Sequence, residues 1–143
     1  MKRGKVIFIL LALCGLVLLC GCSGTTTVSD REKIEATIEG FFRALFSSRL
    51  EEARSYLVPG GPTETELNSL YEEFLEVTTQ LAACEITVDA TLGDVEINGN
   101  RAEATVSSLE LCATCPGQTG PSCFSLSGGS FQLEKHSGEW LIY

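Results

Sequence analysis

The apolar residues of this 143-residue chain change their spacing once, near Cys84, and that change sets the fold class. Before it, Ile34, Ile38, Phe41, Phe42, Leu45 and Phe46 recur at helical spacing and form one wide stripe. Ser29 and Glu32 have the spacing of a capping box, and Asp30 adds negative charge to the first turn. A shorter helical piece, Leu50 to Leu57, stops at Pro59-Gly60-Gly61-Pro62, the strongest breaker in the chain. Thr63 and Glu66 repeat the capping spacing, and Leu67, Leu70, Tyr71, Phe74, Leu75 and Val77 carry a helix to about Ala82. After Cys84, Ile86, Val88, Ala90 and Leu92 alternate with Thr87, Asp89 and Thr91, as in a strand buried on one face. Gly93-Asp94 then shifts the parity to Val95 and Ile97, which is what a bulge does. Asn98-Gly99 predicts a two-residue hairpin, with Ala102, Ala104 and Val106 on a return strand running to Leu111. A turn-rich stretch, Pro116 to Ser122, precedes a last hairpin of Gly129 to Lys135 and Glu139 to Tyr143 around Ser137-Gly138. Helices first and antiparallel strands after predict an α+β domain over residues 30–143, its helices packed on a curved sheet.

The first residues follow a different logic. Lys2, Arg3 and Lys5 precede an apolar run from Val6 to Cys20, too short for a permanent span of roughly 20 residues. A basic start, a short apolar middle and small residues at the exit describe an export signal over residues 1–21. Of the three cysteines there, Cys22 alone follows a small residue, and Leu19-Cys20-Gly21-Cys22 resembles the lipobox of bacterial lipoproteins. That resemblance implies cleavage before Cys22 and acylation of its sulfur, so that the chain holds a membrane through lipid. Ser23 in the next position resembles the default that sorts to the outer membrane, facing the periplasm, in a host with two membranes. Residues 22–29 are small and polar, a flexible tether.

The formal charge is −9; without Lys2, Arg3 and Lys5 the remainder carries −12. No basic stripe offsets it, which excludes nucleic acid as a partner. Cys84, Cys112, Cys115 and Cys123 remain in the exported body, and an even count outside the cytosol points to disulfides. If Asn98-Gly99 is the turn, one bulge places Cys84 opposite Cys112 and leaves Cys115 to close a loop with Cys123. Four cysteines allow three connectivities, and this pairing is the favoured one. Two sharper readings carry less weight. Cys112-Ala113-Thr114-Cys115 has redox spacing but leads from a strand into a Pro/Gly loop, without the helix N-terminus that activates such thiols. A zinc ribbon needs a second C-x-x-C, which is missing, so no metal is expected.

The order of elements, the "INGNRAEATV" hairpin and the ending "FQLEKHSGEWLIY" resemble the nuclear transport factor two-like superfamily, which includes ketosteroid isomerases and polyketide cyclases. The resemblance implies a cone: a curved sheet wrapped on a long helix, in some members a homodimer through the open sheet face. It also implies that an enzyme of this shape would hold a carboxylate or histidine deep in the cavity. Asp89 is the one weak candidate for that general base, mid-strand opposite the face of Ile86 and Val88. His136 falls in the last turn, Tyr56 and Tyr71 fall on helical stripes, and Glu72, Glu73 and Glu76 form a solvated helix face. No catalytic set is secure, and no cofactor is expected. The sequence therefore points to a lipid-anchored envelope protein whose domain binds a partner protein or a small apolar ligand. An isomerase- or cyclase-like enzyme using Asp89 is the alternative, and a rigid assembly knob a third reading.

Overall fold

The computed structural model describes residues 28–143; the expected export signal and the expected lipidation site at Cys22 lie outside them. Three helices, α1 (Asp30–Phe46), α2 (Leu50–Ser55) and α3 (Pro62–Leu81), precede five strands. These are β1 (Glu85–Asn98), β2 (Arg101–Thr114), β3 (Ser122–Leu126), β4 (Gly129–His136) and β5 (Glu139–Ile142). The result is the α+β arrangement that the change of period demands, with α1 packed on the sheet.

Helix α1 begins where its local chemistry says it should. The Ser29 hydroxyl accepts from the Glu32 N–H, and Glu32 accepts from the Ser29 N–H at 2.7 Å, a complete capping box. Its stripe of Ile34, Ile38, Phe41 and Leu45 is buried. Gly40 lies on the same side, and a Cβ there would sit 2.5 Å from the Tyr56 ring, so only glycine lets the segment after α2 pass this close. The capping box expected at Thr63 and Glu66 does not form. Pro62 takes the first helical position, which moves the cap to Gly61; Thr63 instead donates to the Tyr143 carbonyl at 2.6 Å.

The sheet is antiparallel in the order β1-β2-β4-β5, with β3 pairing the far half of β2. Strand β2 carries two neighbours in line along one edge: Arg101 to Val106 face β4, and Leu109 to Ala113 face β3. The first hairpin turns one residue later than the Asn98-Gly99 signal suggests. Asn98 pairs with Arg101, so Gly99 and Asn100 form the turn, with Gly99 at a φ of 64°. Two bulges then face each other. Gly93-Asp94 adds a residue to β1, and Ser107 adds one to β2, which restores the register by Thr91–Ser108. Gly93 permits the close approach, since a Cβ would meet the Ser107 hydroxyl at 2.8 Å. Because both strands shift together, Ala102, Ala104 and Val106 and then Leu109, Leu111 and Ala113 all stay on the buried face.

Strand β3 begins at the end of the turn-rich stretch and has no counterpart among the expected strands; it is five residues long, uncharged and exposed. The last hairpin turns at Ser137 and Gly138, both at positive φ (51° and 91°), as a primed two-residue turn requires. Tyr56 to Val58 then runs alongside β5: Val58 donates to the Ile142 carbonyl and Ile142 to the Tyr56 carbonyl, each at 2.8 Å.

Candidate functional site

Among the described residues, the space between α1 and the sheet is occupied by side chains. Trp140 is 1% exposed, and Ile34, Ile38, Leu57, Leu111, Leu133 and Ile142 are equally enclosed around it. A small pocket among the helices, lined by Leu45, Ser48, Leu50, Tyr71 and Thr78, holds about 10 Å³, room for one water at most. Phe41, Phe42 and Phe131 pack edge to face at 5.2 and 5.9 Å between centroids, filling more of the same side.

Trp140 is fixed by polar partners that sequence reasoning missed. Its indole N–H donates to Asp30 Oδ1 at 3.0 Å, and Lys135 Nζ donates to the same oxygen at 2.9 Å while lying 5.3 Å from the indole centroid. The hydrogen bond from Lys135, then that from Trp140, holds the Asp30 carboxyl below its ordinary range. The signal was present: a buried indole needs an acceptor, and the first turn of α1 offers a carboxylate.

Asp89 does not lie in the interior. It is exposed on the opposite face of β1, paired across to Glu110, while Val88 and Ala90 on either side point inward. The strand's period of two puts it outside, where it is not the base of an interior cavity. His136 is exposed, as expected, with Nε2 3.3 Å from Glu134. Glu72, Glu73 and Glu76 lie on an exposed face of α3.

The cysteines are bridged, but not in the favoured pairing. The bonds are Cys84–Cys115 and Cys112–Cys123. The cause is the register: with the turn at Gly99-Asn100 and a second bulge at Ser107, Glu85 faces Thr114 and Cys84 falls opposite Cys115. Cys112 then faces Cys123 across β3, the strand that was not expected. Cys84 and Cys115 pack against the core, whereas Cys112 and Cys123 point away from it. The two halves of the C-x-x-C thus stand on opposite faces of the sheet with separate partners. Glu110, Cys112 and Cys123 bring ligand atoms within 4.8 Å of one another, but both sulfurs are consumed in a bridge and offer no thiolate.

On the face turned away from the helices a groove of about 310 Å³ runs between rows of side chains. Glu96, Glu103 and Gln132 form one row, and Asn98, Arg101 and Glu134 the next, with Tyr143 at the end. Arg101 pairs with Glu134 at 2.9 Å, and Ser130 donates to Glu103 at 2.9 Å. The lining is net acidic and open to solvent.

No family model and no curated protein matches the chain. One solved structure that resembles it is a Campylobacter jejuni protein described as an NTF2-like transpeptidase. The two are 15% identical, with 80% of this chain and 97% of that chain covered, at a TM-score of 0.40. The likeness is distant, and the activity in that description is said of that protein.

Proposed function

We propose that this chain is a lipid-anchored envelope protein, held to a bilayer by acyl chains on Cys22, whose α+β domain binds a partner protein on its surface. The filled interior carries this reading. Among the described residues, Trp140 and its neighbours occupy the space between α1 and the sheet that a substrate or a small apolar ligand would need. Recognition then falls to the outside of the sheet. The lipobox spelling Leu19-Cys20-Gly21-Cys22 supports the anchor. Each acyl methylene contributes about 0.8 kcal/mol of membrane affinity, and two or more chains anchor stably. The six residues from Ser23 to Val28 reach roughly 20 Å before the capped start of α1, which keeps that end of the domain near the lipid surface.

The test is the intact mass of the membrane-extracted chain, before and after reduction. The expected polypeptide begins at Cys22, carries acyl mass on it, and gains four hydrogens when both bridges are reduced. A Cys22→Ser variant is expected in the soluble fraction. An unacylated, freely diffusing wild type would refute the proposal.

A further inference from the structure

A sheet must dispose of its unpaired edges, because a free row of N–H and C=O groups templates another strand. Two edges here are partly occupied. Along β1, Glu39 accepts from the Ala90 N–H at 2.9 Å, and Arg31 donates to the Leu92 and Gly93 carbonyls at 2.7 and 3.0 Å. Along β5, the Tyr56 to Val58 segment supplies backbone bonds. Strand β3 differs. Among the described residues nothing pairs with its outer edge, and all five of its residues are exposed.

Its side chains are also unusual for an exposed edge. Phe124 and Leu126 face the buried Leu111 and Leu109 across β2, so they belong to the helix-side face; one side of the Phe124 ring meets Phe46 edge to face at 6.1 Å, yet the two residues are 44% and 49% exposed. No charged residue occurs from Leu111 to Leu133, in a body that carries −12 without its first three cations. Edges that must stay single carry lysine, proline or a bulge, and Ser122–Leu126 has none of these. Two such acidic bodies repel over most of their surface; along this strand they meet without opposing carboxylates.

We propose that β3 is a self-association edge, along which two copies of this chain pair antiparallel about a two-fold axis at Phe124. The Cα atoms of Cys112 and Cys123 are 4.0 Å apart, the close spacing of a non-hydrogen-bonded pair. The N–H and C=O of Cys123 and Ser125 therefore turn toward the open edge. In the two-fold register Cys123 of one copy faces Ser125 of the other, and the two exchange backbone bonds, four per dimer. Phe124 faces its own copy, and Leu126 faces Ser122. Donor meets acceptor and neutral meets neutral, and the interface closes on itself. The two-fold register and the uncharged run from Leu111 to Leu133, in an otherwise acidic body, suit a second copy of this chain. The pairing does not depend on the anchor at Cys22, which is read separately by mass.

The test uses the full-length chain in detergent, followed by sedimentation over a range of concentrations, with a photo-crosslinking residue at position 125 or, as control, at Thr91 on β1. A concentration-dependent dimer and a homodimeric crosslink from position 125 alone are expected. Ser125→Pro removes two of the four interchain bonds without touching the bonds to β2, and should weaken the dimer roughly tenfold to a hundredfold. Phe124→Lys sets two ammonium groups against each other and should leave a monomer that retains both disulfides. It keeps the proposal testable if the proline variant does not fold. A wild type that stays monomeric, a dimer indifferent to Phe124→Lys, or a crosslink from position 125 only to another protein would each overturn it.

Discussion

Removing Cys84 and Cys115 together should cost more stability than removing Cys112 and Cys123. A cross-link stabilises largely by denying the unfolded chain the entropy of an open loop, and that entropy grows with loop length. The first bridge spans a sequence separation of 31 and the second one of 11. The chain-entropy relation assigns about 3.7 kcal/mol to the longer loop and about 2.8 kcal/mol to the shorter. The first pair also packs against the core, which widens the gap when serines replace it. The assay is urea unfolding followed through Trp140, the single tryptophan and a fully buried one. The Cys84→Ser/Cys115→Ser variant should unfold at lower urea than Cys112→Ser/Cys123→Ser, with each slope steeper than wild type because the freed chain exposes more surface. A companion single variant fixes the connectivity: in Cys84→Ser the free thiol labelled by alkylation should be Cys115. Label on Cys112, or a larger loss from the outer pair, would refute the register that places these residues opposite one another.

Gly40→Ala should destabilise by about 1–3 kcal/mol, because its methyl lands on the Tyr56 ring; pairing it with Tyr56→Ala should recover part of that loss in a double-mutant cycle by urea unfolding. Asp30, held below its ordinary value of 3.8 by Lys135 and Trp140, contributes stability that is present above that value and lost as pH falls through the lower folded value. Melting temperature should therefore drop below about pH 4 in the wild type and drop less steeply in Asp30→Asn, and an unchanged slope would count against the pairing.

Local chemistry was readable from residues, and long-range register was not. Ser29 and Glu32 are three positions apart and make a complete box, because nothing distant competes for them. Thr63 and Glu66 have the same spacing and fail, because the adjacent Pro62 suits the first helical position better than Thr63 suits the cap. The α+β layout followed from the change of period near Cys84, which survives small errors in strand ends. Pairing of cysteines does not. Asn98-Gly99-Asn100 offers two turns one residue apart, and the bulge at Ser107 leaves little trace in composition. Those two unseen steps moved the partner of Cys84 from Cys112 to Cys115. Asp89 was legible both as a strand residue and in its face, since the period of two already set it opposite Ile86 and Val88.

The residue at the middle of the core is made well after the helix that packs on it. Helix α1 emerges with its phenylalanines bare, and a ribosome adding roughly 5–20 residues per second needs on the order of 5–20 s to go from Phe46 to Trp140. Until then Ile34 and Ile38 have no indole to close over them, and Asp30 has neither of its donors. A nascent chain of this design carries an unclosed core, in need of shelter, through the whole interval between its first helix and its last hairpin.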